Sequence, residues 1–197
     1  LTPPSAIVVG NPATFTLEIS GSDDAAISTF TCSDPQAVFV FPAGTGLGGN
    51  EAMLGNGTHG FLLDTRVTGD LTVTVRVSDG SGHSVQRQCT VTSRYPKFSA
   101  MVQTMSSAAL YSDSPMTLII RSTEYAGDYT VSYTTTSTNC RVSYGGSMLR
   151  PDSPVTLEAG QHIFTANSSY AERTEFIFTI TDIYGQSQQA QASITWR

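Results

Sequence analysis

Leu71-Thr-Val-Thr-Val-Arg-Val77 and the turn Asp79-Gly-Ser-Gly82 that follows it decide the fold class of this chain. The first segment alternates apolar and polar residues, which places its four aliphatic side chains on one face of a β-strand. Asp at the first position of a turn and Gly at the fourth, where φ is positive, favour a type I turn with a bulge. The sequence therefore predicts a β-hairpin with one buried face.

The same pattern returns 103 residues later in the chain. Residues 57–92 align with residues 160–195 without a gap, and nine of the 36 positions are identical. Upstream, residues 15–19 match residues 116–120 at an offset of 101. A repeat of about 100 residues has the length of one immunoglobulin-like β-sandwich. The chain is therefore predicted to contain one folding unit twice.

We predict an all-β protein made of two tandem immunoglobulin-like β-sandwich domains, residues 1–95 and 96–197. The boundary is placed at Pro96, where the strand pattern breaks and a stiff linker or a new strand can begin. Residues 101–111 carry the best helical pattern in the chain, but their position in the repeat predicts the first strand of the second domain.

Charge limits the partners of this protein. The net charge is −6, with 10 basic and 16 acidic residues. Binding to nucleic acid needs clustered Lys and Arg that displace counterions, so we predict no nucleic-acid partner. The same deficit argues against an anionic membrane surface. No apolar run approaches the roughly 20 residues of a membrane-spanning helix, and we do not expect a transmembrane protein.

The chain opens at Leu1 rather than Met. We expect a mature fragment from which an N-terminal targeting segment has been removed, and therefore an extracytoplasmic location in the periplasm or at the cell surface. A lipid anchor in the full-length protein is compatible with this expectation.

Three cysteines leave two interpretations open. Cys32 and Cys89 are 57 residues apart in the first repeat, a spacing that resembles the disulfide of immunoglobulin domains, but their strand positions differ and no Trp flanks them. Buried free thiols are the favoured interpretation, for these two and for Cys140. A Cys32–Cys89 bridge is the alternative. No His or basic neighbour activates a thiol, so a catalytic cysteine is not predicted.

We predict no catalytic, cofactor-binding or metal-binding residues and no enzymatic activity. Gly44-Thr-Gly46-Leu-Gly-Gly49 matches the dinucleotide fingerprint, but no helix follows it, and we predict a flexible loop.

His59 and His162 occupy equivalent positions before a Phe and are predicted to be structural, each with a backbone partner. One carboxylate in each Asp-x-x-Gly turn is too few for calcium.

Tyrosines concentrate in the second repeat, where seven of the eight lie from residue 111 onward. Tyr129 and Tyr133 share one strand face with Val131, which favours packing in the core. Tyr144, Tyr170 and Tyr184 fall in or near loops, and tyrosine is typical of loop surfaces that bind partners. Tyr184, inside the second Asp-x-x-Gly turn, is the favoured candidate for an exposed contact.

The stretch Gly160-Gln-His-Ile-Phe164 through Thr181-Asp-Ile-Tyr-Gly185-Gln resembles TraQ-like proteins of Bacteroidetes conjugative transposons. That family consists of small secreted or lipid-anchored β-sandwiches, and the resemblance covers about the last 75 residues. It implies a cell-envelope component associated with conjugation that binds protein, with no catalytic residues to transfer. Bacterial surface immunoglobulin-like modules share the same strand–turn–strand signature.

We therefore expect a non-catalytic structural or adhesive module of a bacterial cell envelope. It would contact an unidentified protein partner through loops or exposed strand edges. The alternative is carbohydrate recognition through the second-domain tyrosines.

Overall fold

The computed structural model describes residues 1–21, 24–151 and 153–197. The chain divides into two compact units, Leu1–Pro96 and Lys97–Arg197. Strands, turns and loops make up the described residues, and no helix occurs among them. The prediction of an all-β protein with two tandem β-sandwiches is confirmed.

The first unit packs a six-stranded sheet, in the order β1-β9-β8-β3-β6-β5, on a three-stranded sheet in the order β2-β7-β4. All neighbours are antiparallel except β1 and β9, which are parallel. Strands β1 to β9 are, in chain order, Ile7–Val8, Ala13–Ile19, Ala26–Cys32, Val38–Val40, Gly46–Gly48, Glu51–Leu54, Gly57–Asp64, Gly69–Ser78 and Ser84–Arg94.

The second unit packs two five-stranded sheets, in the orders β10-β12-β17-β14-β15 and β11-β19-β18-β13-β16. Again the short strand β11 runs parallel to the last strand, β19. Strands β10 to β19 are, in chain order, Ser99–Thr104, Ser107–Ala108, Ser114–Arg121, Tyr129–Thr135, Cys140–Tyr144, Ser147–Leu149, Val155–Leu157, Gly160–Ser168, Arg173–Thr181 and Ser187–Trp196.

The two units share one topology. The order β1-β9-β8-β3-β6 of the first unit matches β11-β19-β18-β13-β16 of the second, and β2-β7-β4 matches β12-β17-β14. The duplication read from the sequence is therefore a duplication of the fold. The differences lie at sheet edges, because β5 is added in the first unit and β10 and β15 complete the second.

The segment with a helical pattern, residues 101–111, forms no helix. Its first part belongs to β10, which pairs with β12, and its second part contains β11, which crosses to the other sheet and pairs with β19. The expected first strand of the second unit is therefore split between both sheets.

Strand alternation builds both cores. Val73 and Val75 of β8 are 0% and 1% exposed, and Phe176 and Phe178 at equivalent positions of β18 are fully buried. The last strand turns Ile194 and Trp196 inward, and the Trp196 indole N–H donates to Thr174 Oγ1 at 3.1 Å. Burial of such side chains contributes about 1.5–3 kcal/mol each.

Both Asp-x-x-Gly segments are hairpin turns, as predicted. In the second unit, Asp182 Oδ1 accepts hydrogen bonds from the N–H groups of Tyr184 and Gln186, each at 2.9 Å. The Gln186 amide donates to Asp182 Oδ2 at 2.9 Å. Asp79 repeats the first two bonds with Ser81 and His83, also at 2.9 Å. The glycines take positive φ, 87° and 80° in turn order.

Replacement of Asp182 by Ala is expected to lower the free energy of unfolding of the second unit by about 1–2 kcal/mol, because two loop N–H groups lose their acceptor. Trp196, the only tryptophan in the chain, reports this unit by fluorescence during urea unfolding. Ile183→Ala, in the same turn but 67% exposed, is the control and should change stability little. Equal effects of the two substitutions would contradict the role of the carboxylate.

Asp34 ties two loops of the first unit together. Its side chain is buried, Oδ2 accepts from Thr65 Oγ1 at 2.6 Å, and Oδ1 accepts from the N–H of Gln36 at 2.9 Å. The hydrogen bond from Thr65 is the main reason why the pKa of Asp34 is lowered. A lowered pKa in the folded state means that this carboxylate stabilises the unit at a pH above its unfolded value, about 3.9.

The stabilising effect of Asp34 should therefore be lost as pH falls below about 4. We expect Thr65→Val to destabilise the first unit at pH 7 and to have a smaller effect at pH 3, measured by urea unfolding followed through NMR signals of residues 26–75. A difference between wild type and variant that is the same at both pH values would contradict this account.

Candidate functional site

His59 and His162 have structural roles. His59 Nε2 lies 2.8 Å from the carbonyl oxygen of Gly55, and His162 Nε2 lies 2.9 Å from that of Glu158. Each ring therefore closes the same local loop onto its own backbone four residues earlier. The prediction of structural histidines with backbone partners is confirmed.

The third histidine belongs to a turn. His83 Nδ1 lies 3.0 Å from Asp79 Oδ2, and this hydrogen bond is the main cause of the lowered pKa of Asp79. Both carboxylate oxygens of Asp79 are thus occupied by donors from its own hairpin. Within the described ranges, no three His, Cys, Asp or Glu side chains lie together as a potential metal-binding group.

Cys32 and Cys89 are free thiols and not a disulfide. The sheet register explains why, because Val73 pairs with Cys32 on one side and with Cys89 on the other. Two strand spacings separate the cysteine Cα atoms by about 10 Å, beyond the reach of a disulfide. Of the two interpretations, free thiols are correct. Cys32 and Cys89 are half-buried rather than fully buried, whereas Cys140 is buried.

Burial also makes the thiols poor nucleophiles. Desolvation is the main cause of the raised pKa of Cys32 and of Cys89, and it raises the pKa of Cys140 to about 11. A thiol rather than a thiolate is therefore present at neutral pH.

We expect all three cysteines to be alkylated by iodoacetamide in urea without added reductant, because no bond protects them. Intact mass before and after alkylation counts the modified residues. A Cys32→Ser variant is the control and should accept two groups instead of three. Modification of one cysteine only in the wild type would show a bridge and contradict the register.

Part of the glycine-rich segment is a strand instead of the predicted loop. Gly46–Gly48 forms strand β5, which pairs with Glu51–Leu54 through an irregular register. The expectation of a flexible loop is wrong here, since backbone pairing does not need side chains. A strand rather than a helix follows these glycines, so the segment lacks the helix N-terminus that a dinucleotide pyrophosphate needs.

The strand tyrosines lie in the core of the second unit. Tyr129 is 0% and Tyr133 is 3% exposed, and the Tyr133 hydroxyl donates to the carbonyl oxygen of Leu149 at 3.2 Å. The prediction that they pack is confirmed.

Tyr184, the favoured candidate for an exposed contact, is not the most exposed ring. It is half-buried, and its ring packs edge-on against Tyr125 with a centroid distance of 6.1 Å. Tyr144 is also half-buried and stacks on Phe164. The prediction for Tyr184 is corrected for this reason, since neighbouring aromatic rings cover part of it.

The exposed rings are Tyr111 and Tyr170, at 74% and 60% exposure. Backbone hydrogen bonds bring them to the same end of the second unit. The N–H of Tyr111 donates to the carbonyl oxygen of Ser168 at 2.9 Å, and the N–H of Tyr170 donates to Ser168 Oγ at 3.2 Å. Tyr170 was among the predicted loop candidates, whereas Tyr111 was not singled out.

Polar and apolar side chains lie close to these tyrosines in the chain and on the neighbouring strands. Asn167 Nδ2 donates to Asp113 Oδ1 at 3.0 Å, and Asn167 pairs with Arg141 across β17 and β14. Met148 on the edge strand β15 is 64% exposed. A shallow groove of about 260 Å³ lies among these side chains. We call this set the tyrosine surface: Tyr111, Asp113, Arg141, Met148, Asn167 and Tyr170.

The backbone of Tyr111 is unusual. It has φ of 60°, a conformation that no other non-glycine residue adopts in the described part of the chain. An L-residue in this left-handed region costs roughly 1–2 kcal/mol, and glycine avoids most of the cost. A large ring at such a position is a reason to suspect a functional role.

Comparison with known proteins gives similarities of fold only. No family model matches this chain, and no curated protein does. A conjugative transposon lipoprotein from Bacteroides eggerthii is similar at 16% identity over 51% of this chain and 98% of its own, with a TM-score of 0.45. A lipoprotein from Bacteroides thetaiotaomicron is similar at 14% identity over 52% and 82%, with a TM-score of 0.46.

A third similar structure is SGBP-B of the Bacteroides ovatus mixed-linkage glucan utilization locus, in complex with a heptasaccharide. Its identity is 11% and its TM-score 0.30, over 99% of this chain and 43% of its own. Similarities at this level carry no information about function. In the described residues, we find no helix with the length and apolar character needed to cross a membrane.

Proposed function

We propose that this protein is a non-catalytic protein-binding module of a bacterial cell envelope, and that the tyrosine surface binds its partner. The observation that carries the proposal is the pair of exposed rings, Tyr111 and Tyr170, held at one end of the second unit by Ser168. The envelope location rests on the resemblance of residues 160–186 to TraQ-like proteins, and a role in conjugative transfer rests on the same resemblance.

The composition of the tyrosine surface supports a protein partner. Tyr, Met and Arg are enriched in protein interfaces, and Tyr and Arg are frequent among the residues that dominate binding energy. Arg141 and Met148 are both exposed beside the groove, so they are accessible to a partner. Arg141, Met148 and Asn167 come from strands β14, β15 and β17, whereas Tyr111 and Asp113 lie in the loop after β11 and Tyr170 in the loop after β17.

The presence of tyrosine at position 111 also supports a function for this surface. Since glycine would fit the backbone at this position with less strain, a stability requirement alone does not favour tyrosine. A role in binding a partner explains why tyrosine rather than glycine occupies this position.

We expect the variant Tyr111→Gly, Tyr170→Ala to lose the partner without losing the fold, because neither ring is in the core. The test is affinity capture from an envelope extract of the native host, followed by mass spectrometry. Ile183→Ala, which removes an exposed apolar side chain outside the tyrosine surface, is the matched control. Equal recovery of every captured protein by wild type and double variant would contradict the proposal.

Carbohydrate binding is the second candidate for the same surface. Ring faces stack on sugars, and Asp113, Asn167 and Arg141 line a groove with hydrogen-bonding groups at the same part of the second unit. A glycan array distinguishes the two candidates. Saturable glycan binding that disappears in the double variant supports carbohydrate recognition, whereas no glycan binding leaves the protein partner as the proposal.

A further inference from the structure

The segment that follows the edge strand β4 takes a different path from its counterpart in the second unit. After β14 the chain returns at once as β15, and the two strands pair from Tyr144 with Ser147 to Val142 with Leu149. After β4 the chain leaves the three-stranded sheet, and its next strand, β5, pairs with β6 of the other sheet. The outer edge of β4 therefore has no neighbouring strand in the described part of the chain.

Turn chemistry explains why the two paths differ. Phe39 and Val142 are equivalent, because their partners on β7 and β17 stand 103 residues apart in the repeat, so Pro42 stands where the second unit has Gly145. Both glycines of the β14–β15 turn have positive φ, 57° and 80°, as a two-residue type I′ turn requires. Proline fixes φ at about −65° and cannot enter such a turn. The first unit instead turns at Pro42, whose carbonyl oxygen accepts from the N–H of Thr45 at 3.2 Å. The open edge thus originates from residues within the first unit.

The backbone groups of Phe39 face the open edge. In a two-residue hairpin the residues beside the turn form a hydrogen-bonded pair, and every second pair along the strands does the same. Tyr144 and Ser147 flank the turn of the second unit, so the N–H and C=O of Val142 are directed at β15. Phe39 is the equivalent of Val142, and its N–H and C=O are therefore directed away from β7, towards the side where β4 has no neighbour.

The open edge is apolar and carries no charge. Val38 and Val40 are 56% and 47% exposed on the outer face of the sheet. The sequence between Asp34 and Glu51 contains no charged residue. Proteins commonly protect the edges of their sheets with charged side chains that prevent pairing with another chain. Strand β4 has no such protection within its own segment.

An apolar groove lies beside the exposed valines. It has a volume of about 300 Å³, and Gly60 of β7 lines it without a side chain. A strand that pairs with β4 would lie next to Val40, so it would cover apolar surface in addition to forming main-chain hydrogen bonds. The apolar side chains that line the groove are Val40, Phe41, Pro42, Phe61 and Leu62.

The edge of β4 is complementary to itself. The sequence Val38-Phe39-Val40 reads the same in both directions. When two copies of β4 pair antiparallel about Phe39, the two Phe39 residues exchange their free N–H and C=O groups in two hydrogen bonds. Val38 of each copy then lies opposite Val40 of the other on the same outer face, and such β-branched pairs stabilise strand pairing. A second copy of this chain therefore fits the edge.

We propose that the outer edge of β4 is a homodimer interface. Two copies pair β4 antiparallel about a two-fold axis at Phe39 and join their three-stranded sheets into one sheet of six strands. A three-residue strand offers less area than the roughly 1,200 Å² of a stable interface, so the dimer is reversible and forms as the protein concentration rises. The interface lies in the first unit, and the tyrosine surface lies in the second, so neither proposal depends on the other.

Sedimentation equilibrium of the whole 197-residue protein tests the dimer. We expect a monomer–dimer equilibrium at concentrations up to about 1 mM, a range that detects even a weak pair. The tyrosine double variant should dimerise like the wild type, because its substitutions lie outside the first unit. A wild-type protein that stays monomeric over the whole range would overturn the proposal.

Paired charge variants locate the interface. Val38→Lys with Val40→Lys places like charges opposite each other across the two-fold axis, so the dissociation constant should rise at least about tenfold. Ile27→Lys with Met53→Lys is the matched control, because these residues are cross-strand neighbours on the other sheet of the same unit and are 44% and 46% exposed. The control should dimerise like the wild type. Equal effects of the two double substitutions would contradict the location.

A mixture of opposite charges tests the register. Val38→Glu with Val40→Glu should also be monomeric by itself. Mixed with the Val38→Lys, Val40→Lys protein, it should form a one-to-one heterodimer, because each lysine then lies opposite a glutamate. Native mass spectrometry distinguishes the heterodimer from the two monomers. A mixture that contains monomers only would show that the two copies do not pair in this register, and the proposal would be wrong.

Hydrogen exchange reports the new backbone bonds directly. The amide of Phe39 should exchange more slowly at high protein concentration, because its N–H is bonded only in the dimer. The amide of Val40 is directed at β7 in the monomer already, so its exchange is the internal control and should not change. Dimer formation without slower exchange at Phe39, followed by NMR, would place the contact elsewhere and overturn the proposal.

Discussion

The register of the longest hairpin in each unit is the constraint on which the rest of the structure depends. These hairpins are β8 with β9 and β18 with β19, and a slip by one residue would turn their buried side chains to solvent. The aspartate of each turn fixes the register, because its carboxylate binds two loop N–H groups while the glycine adopts positive φ. The inward-facing side chains of these hairpins then form the faces on which the opposite sheets pack.

Much of the fold follows from local patterns, and the exceptions have identifiable causes. Two-residue alternation within strands and the repeat at an offset of 103 residues predict the sandwiches, since both can be read from the order of residues alone. Backbone pairing between distant segments decides the rest. It splits the segment around Met105 between two sheets. It also places Val73 between two cysteines whose spacing alone leaves a bridge open.

The candidate surfaces were harder to predict than the core for the same reason. Exposure of a tyrosine depends on its neighbours in space, as Tyr184 shows by packing on Tyr125. Tyr111 carries no local signal, since its φ and its bond to Ser168 arise only in the folded chain. The two units share the order of their central strands and differ in the strands at the edges of their sheets.

The parallel pairing of a two-residue strand with the last strand of each unit has a mechanical consequence. Ile7 and Val8 lie beside Ser93 and Arg94, and Ser107 and Ala108 lie beside Thr195 and Trp196. Tension applied to the two ends of a unit pulls such strands past each other, so their hydrogen bonds are loaded together in shear instead of opening one by one. In each unit this pairing therefore holds the last strand against a short early strand in shear.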